Sequence, residues 1–250
     1  MPEKIASLHL SIVIPVYNEE KRILTTLFQI VNYLNHQLYS SEVIVVNDGS
    51  DDQSGEIVNS FIQSHPENNI LLLTTRHQGK GAAVREGILK AQGEYILFSD
   101  ADLSTPIEEI EKFLPWLEKG YPIVIGSRNL PTSQVEIHQP WHREKIGRFY
   151  NWLIRCWLGM DFQDTQCGFK CFSQKVTHQL FLQQKISHFG FDVETLYRAH
   201  KYGYQVKEIP VQWINSPDSR VRVFQDGFRM LKGLWQIRWY YQRKFPTEKD

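Results

Sequence analysis

Cysteine is scarce in this chain, with three in 250 residues: Cys156, Cys167 and Cys171. An odd, low count excludes a disulfide framework and fits a reducing compartment. Cys167 and Cys171 have no second pair and no metal-spaced histidine nearby, so no zinc site is expected. Long apolar runs are missing too. No window holds the ~18 uncharged apolar residues that cross a bilayer. The opening "MPEKIASLHLSIVIP" lacks the apolar core of a signal peptide. Excess charge is also absent. Lys+Arg and Asp+Glu each total 28, so no basic surplus marks a nucleic-acid partner, and none is expected. Internal repeats, linkers and low-complexity tracts are missing. What remains is a cytoplasmic globular chain, 42% hydrophobic and 22% charged, organised as one continuous domain with a C-terminal appendage.

The first half alternates short β-rich runs with amphipathic segments. "LSIVIPV" (10–16), "EVIVVN" (42–47), "NILLLT" (69–74), "EYILFS" (94–99) and "YPIVIGS" (121–127) read as strands. Helical spacing covers 19–36, 51–64, 80–92 and 107–119. Near-continuous apolar strands separated by helices predict an α/β fold, a mostly parallel sheet covered on both faces. Beyond residue 128 a turn-rich stretch leads to helices over 143–158, 191–202 and 224–243. "DTQCGFKCFS" enters a short strand, and 205–213 forms another.

Parallel sheets bind ligands outside the C-terminal ends of their strands. Those ends are "PVYNEE", "VVNDGSDD", "LTTRHQGKG", "FSDADLSTP" and "IGSRNL". All five are polar, and their convergence on one edge predicts a site. Asp100 and Asp102 share a face if the strand geometry persists. Two close carboxylates repel, and a divalent cation relieves that; oxygen-only ligands favour Mg²⁺ or Mn²⁺. The alternative is a solvated strand end. Asp48 reads as a turn residue or as an acceptor for a base or ribose. Glu19 is a first-turn helix acid or a nucleoside contact. Lys80, between Gly79 and Gly81, suits a phosphate, although neither a P-loop nor a G-x-G-x-x-G motif is present. Arg128 is a phosphate clamp or an ordinary surface arginine.

Taken together, "SIVIPVYNEE", "VIVVNDGSDDQS", "GKGAAVREGILKAQGEYILFSDADLSTP" and "IGSRN" resemble the family 2 nucleotide-sugar glycosyltransferases. Within them the chain is similar to the polyprenyl-phosphate sugar synthases. "DTQCGFKCF" and "FGFDVETLYRAHKYGYQVKEIPVQW" look like the dolichyl-phosphate β-glucosyltransferase branch more than the mannose synthase branch. The match covers roughly residues 10–240. It implies a GT-A fold and an inverting transfer of glucose from UDP-glucose to a polyprenyl phosphate. By the resemblance, Asp100 and Asp102 hold the metal, and the catalytic set is Asp100, Asp102 and Arg128. The nucleotide would be framed by Pro15, Tyr17, Glu19, Val46, Asp48 and Ala101, with Lys80 added from its own setting. Asn47 stands where the family usually has an acid. Acceptor phosphate would meet Arg128, Arg143 and Arg220, the last an arginine where lysine is usual, with Arg222 as its rival.

The implied chemistry suits these residues. A hydroxyl acceptor needs a general base, and Asp192 or Glu194 are the late candidates. A lipid phosphate is already anionic and needs cations instead. In the tail, Arg229, Lys232, Gln236 and Arg243 form one stripe on an ideal helix, and Phe228 to Trp239 supply a wide apolar arc. That pattern fits a helix lying in a membrane interface, or one docked on the domain. The expected division is 1–215 for the transferase domain, split into a nucleotide-sugar half (1–128) and an acceptor half (129–215), with 216–250 as an interfacial segment. The expected place is the cytoplasmic membrane face, bound peripherally, which leaves room for a membrane-protein partner. GDP-mannose as donor, a hydroxyl acceptor, and a non-catalytic nucleotide-sugar or membrane-binding module are the competing readings.

Overall fold

The computed structural model describes residues 8–137, 141–214 and 223–242. Five strands lie close to their predicted places: β1 (Leu10–Val16), β2 (Ser41–Asn47), β3 (Ile70–Thr74), β4 (Tyr95–Ser99) and β5 (Ile123–Ser127). The helices between them are α1 (Ile23–Leu34), α2 (Ser54–Ser64) and α3 (Lys80–Lys90). The segment expected as one helix over 107–119 is instead a 3₁₀ turn, Ile107–Lys112, followed by α4 (Leu114–Glu118). Pro115 lies in the first turn of α4, where its missing N–H costs nothing; inside a longer helix it would have broken the ladder.

The second half adds β6 (Gln134–Ile137), α5 (Trp141–Leu158), β7 (Phe169–Ser173), α6 (Gln174–Phe181), α7 (Phe191–Lys201), β8 (Val206–Pro210), β9 (Gln212–Ile214) and α8 (Val223–Gln242). β6 and α6 were not foreseen. The strand expected over 205–213 divides after Pro210. Beyond it, Val211 bonds back to the Ser127 carbonyl and β9 leaves the main sheet to pair with β6.

The main sheet has the order β3-β2-β1-β4-β7-β5-β8. β7 alone runs antiparallel to its neighbours, pairing Ser99 with Phe169 on β4 and Ile125 with Lys170 on β5. Its first residues therefore sit beside the last residues of β4 and β5. That reversal carries the loop before β7 to the edge where the parallel strands end.

Strand side chains alternate between two cores. Ile12 and Ile14 face the core built with α1, α2, the 3₁₀ turn and α4, whereas Val13 faces the one built with α3 and α5 to α8. α3 approaches the sheet closely because its buried face is Gly81, Ala82, Ala83, Val84, Gly87 and Ile88. A Cβ at Gly87 would collide with Val13 and crowd Val46. This close seat sets the height of Lys80 above the strand ends.

α8 docks through buried Leu234, Ile237 and Tyr241. The Tyr241 hydroxyl donates to Glu194 Oε1 at 2.5 Å and accepts from Arg198 Nη1 at 3.0 Å. Arg198 and Glu194 are themselves fully buried on α7. Tyr241→Phe removes a hydroxyl from this closed network and is expected to lower stability by about 1–2 kcal/mol. Urea unfolding should show a lower midpoint with an unchanged slope.

Candidate active site

The strand ends are joined by hydrogen bonds before any ligand is considered. After β1, Asn18 adopts a left-handed backbone (φ 54°). Its side-chain oxygen accepts the Asp51 amide at 2.8 Å, and its own amide meets Ser50 Oγ at 2.9 Å. The Glu19 amide donates to Ser54 Oγ at 2.7 Å. Asn47, which replaces the usual acid, is buried and caps the same turn by accepting the Ser50 amide at 2.9 Å. A neutral amide can fill this position because the work there is turn-making.

Asp48 is buried at the end of β2. Its two carboxylate oxygens accept the amides of Gln78 and Gly79, each at 2.8 Å, and His77 Nδ1 lies 2.9 Å from Oδ2. The His77 ring stacks on Tyr17 with centroids 4.0 Å apart. Gly79 has φ +109°, a conformation that side-chain-bearing residues rarely adopt, and it starts α3. Asp48 thus fixes the turn that presents Lys80.

Lys80 Nζ sits 2.6 Å from Asp100 Oδ1. Burial pulls the Lys80 pKa down, but Asp100, Asp192 and Asp102 outweigh it and the ammonium is held above its ordinary value. Asp100 follows β4 and its amide donates to the Gly168 carbonyl at 3.1 Å. A Cβ at Gly168 would occupy the space of the Asp100 carboxylate, so only glycine fits there. Asp102 accepts the Ser104 amide at 3.0 Å through Oδ1, and its Oδ2 lies 3.9 Å from Arg22, which forms an ion pair with Glu19 Oε2 at 2.5 Å. Thr26 donates to the Ala101 carbonyl at 2.6 Å, anchoring the peptide between the two acids. Tyr17, Glu19, Asp48, Lys80, Asp100, Ala101 and Asp102 are therefore brought together. Pro15 is buried in β1 beside Val46 of β2, and the Val46 side chain is in the core rather than the cleft.

Arg128 follows β5. Nε and Nη2 grip Asp164 at 2.6 and 2.9 Å, and the Arg128 amide also donates to it at 3.1 Å. The guanidinium lies 5.5 Å from the Trp213 ring centre. Asp164 is fully buried; Glu208 of β8 accepts its amide at 2.7 Å. Burial pushes the Asp164 carboxyl up, but Arg128 outweighs it and holds the acid below its ordinary range. Of the other acceptor residues, Arg143 falls on α5 where side chains are outside the described set, and Arg220, with its rival Arg222, lies outside the described residues.

The two late acids are engaged. Asp192 Oδ1 bonds Lys170 Nζ at 2.6 Å, and both are buried. Glu194 accepts the amides of Lys185 and Ile186 at 2.8 and 2.7 Å, besides Tyr241. Sequence reasoning missed Arg22, His77, Asp164, Lys170 and Glu208. A signal existed for Lys170: a lysine inside the apolar run "GFKCF" requires a buried carboxylate partner. Asp164 stood in a quoted motif, but only the fold places it against Arg128.

Among the described residues no group of three or more His, Cys, Asp or Glu converges as a metal cage. Asp100 and Asp102 fit a different kind of site, a hard cation held by one or two carboxylates and completed by phosphate oxygens and water. Burial pushes the Cys167 thiol up to about 11.

A mostly parallel sheet with one reversed strand, an acid pair after β4 and a basic residue after β5 defines the GT-A class of glycosyltransferase. A model of the family described as Glycosyl transferase family 2 matches residues 11–181. The chain belongs to this family and is a glycosyltransferase. It is 32% identical over 248 residues to a dolichyl-phosphate beta-glucosyltransferase of Dictyostelium discoideum, covering 95% of this chain and 76% of that one. It is 35% identical over 256 residues to the Trichomonas vaginalis protein ALG5C of the same name, covering 98% and 75%. Among solved structures, the mannosyltransferase PcManGT from Pyrobaculum calidifontis, in complex with GDP-Man and Mn²⁺, superposes with a TM-score of 0.64 at 20% identity. The overlap is 94% of this chain and 64% of that one. Glucosyl-3-phosphoglycerate synthase from Mycobacterium tuberculosis, with Mn²⁺, UDP-Glc and phosphoglyceric acid, gives 0.63 at 17% identity, covering 92% and 79%. These two establish the fold.

Asp164→Asn leaves Arg128 without its counter-charge and is expected to cost about 2–3 kcal/mol near neutral pH, discounted for the partial exposure of Arg128. A depressed folded-state pKa contributes stability above the unfolded value, ~3.9, and loses it as pH falls through the folded one. The gap between the unmodified protein and Asp164→Asn should therefore be full above about pH 4 and shrink below it. Denaturant unfolding across pH checks this.

Proposed function

We propose that the protein transfers glucose from UDP-glucose to a polyprenyl phosphate, with inversion at the anomeric carbon. The observation that carries this reading is the engagement of both late acids. Asp192 is spent on Lys170, and Glu194 on two amides and a tyrosine. Both carboxylates thus hold the scaffold together, which argues against either as the base for a hydroxyl acceptor. An acceptor phosphate has no such need, because it is anionic near neutral pH and requires positioning by cations. The relatives, dolichyl-phosphate beta-glucosyltransferases by name, suggest the sugar and the acceptor class.

Each residue then has a role. Tyr17, Glu19 and Asp48 frame the nucleoside with the backbone of Pro15 and Ala101, and Val46 acts through the strand end it supports. Asp100 and Asp102 would hold Mg²⁺ or Mn²⁺, which, when bound, neutralises the leaving diphosphate. Lys80 reaches toward the same phosphates from α3. Arg128, rigid on Asp164, orients the acceptor phosphate together with Arg143 and Arg220. Inversion requires an acceptor oxygen behind the anomeric carbon, in line with the departing nucleotide.

A lipid acceptor accords with the exposed aromatics of two neighbouring helices. Phe149, Trp152 and Trp157 of α5 are exposed, as are Leu231, Trp235, Trp239 and Tyr240 of α8. The two helices touch where Arg238 donates to the Trp157 carbonyl at 2.6 Å. Trp and Tyr at such density suit a membrane interface. No helix among the described residues is long and apolar enough to cross a membrane. We place the protein peripherally on a membrane surface, with 1–128 serving the donor, 129–215 the acceptor and 216–250 the interface.

Labelled UDP-glucose, Mg²⁺ and polyprenyl phosphate should give label in the organic phase. Asp100→Asn should lower that rate by about 100-fold or more. The kcat/KM should fall below about pH 6, where a phosphate monoester gains its second proton. Asp192→Asn should keep this acid limb. Loss of the limb in Asp192→Asn would make Asp192 the base and the acceptor a hydroxyl.

A further inference from the structure

The ammonium of Lys80 stands on an oxygen of the acid pair assigned above to the metal. Lys80 Nζ is 2.6 Å from Asp100 Oδ1. The other carboxylate oxygen, Oδ2, lies toward Gly168, in space that a Cβ there would take. Glycine leaves that space to the carboxylate. Lys80 is anchored at its backbone, because α3 is packed on the sheet through Gly81, Ala82, Ala83 and Gly87. Its four-carbon stem is the mobile part. The pair opens to the cleft, with side chains 24% and 32% exposed. The ammonium lies 5.3 Å from the Phe98 ring centre and 6.0 Å from that of Phe189, so aromatic faces flank its position.

We propose that Lys80 is a positioning residue that makes metal binding conditional on the nucleotide. Without nucleotide, its ammonium occupies Asp100 and repels a dication. A nucleoside diphosphate offers that ammonium a new anionic partner. Lys80 moves to the phosphates, Asp100 is released to the metal, and both cations end on one diphosphate. Metal and nucleotide then strengthen each other's binding by the same factor, as linkage requires. The acid pair is thereby kept neutralised in either state, which avoids the cost of an uncompensated carboxylate pair. This rests on the assignment of Asp100 and Asp102 to the metal.

Mn²⁺ binding, read by the electron paramagnetic resonance signal of the free ion, tests it without turnover. The unmodified protein should bind Mn²⁺ weakly alone and about tenfold or more tighter with saturating UDP. Lys80→Met should bind Mn²⁺ alone about tenfold tighter than the unmodified protein and lose most of the UDP enhancement. Lys80→Gln provides a second uncharged variant if Lys80→Met folds poorly, and Lys80→Arg should retain the coupling. If both uncharged variants keep the original affinity and the original enhancement, the coupling role is wrong. If Asp100→Asn binds Mn²⁺ normally in the presence of UDP, the metal assignment itself fails, a result distinct from failure of the coupling.

Discussion

Charge compensation at the ends of the strands is the constraint on which this structure depends. Three carboxylates stand close to the sheet edge, and each has a cation 2.6 Å away: Lys80 for Asp100, Arg128 for Asp164 and Lys170 for Asp192. A fourth, Asp48, is stabilised by hydrogen bonds from two amides and approached by His77. Removing one partner from a buried pair costs several kcal/mol, so these contacts are made as sets. Their geometry comes from the reversed strand β7. It delivers Lys170 into the sheet, Gly168 onto Asp100 and, just upstream, Asp164 onto Arg128. An all-parallel sheet would leave the last two positions unfilled.

The same compensation explains how a buried, apolar scaffold can present cations at the edge of its sheet. Lys80 and Arg128 are held by acids, yet both stay partly open to the cleft. They differ in kind. Arg128 is locked by a two-pronged contact, an amide and a nearby indole, so it suits a fixed clamp. Lys80 is held at a single oxygen by a flexible stem, so it suits exchange between partners. Two cations of different stiffness therefore stand on the two sides of β4.

Much of this was legible in the sequence. The five apolar runs reported their own burial, and their polar ends marked the edge where Tyr17, Asp48, Lys80, Asp100, Asp102 and Arg128 now lie. What the sequence hid is long-range pairing. Nothing local in "DTQCGFKCFS" says that its strand runs backwards between β4 and β5, because strand direction is set by connections and not by composition. The pairings of Asp164 with Arg128 and of Lys170 with Asp192 were hidden for that reason. Val46 shows the opposite error: it neighbours a site residue in sequence, but period-two alternation turns its side chain into the core. In α8 the apolar arc was visible, but its division was not. Leu234, Ile237 and Tyr241 face the domain, and Leu231, Trp235 and Trp239 face outward. Hydrophobicity alone cannot tell a docked face from an interfacial one.

The central claim is that the nucleophile is a lipid phosphate needing cations and no protein base. A matrix of donors and acceptors tests it most directly. UDP-glucose and GDP-mannose would each be offered polyprenyl phosphate, the corresponding polyprenol and a free sugar, with product identity and anomeric configuration read on each. Product is predicted with UDP-glucose and polyprenyl phosphate, as the β-linked glucosyl phosphate, and little or none with the two hydroxyl acceptors. Efficient transfer to a hydroxyl, with polyprenyl phosphate inert, would contradict it.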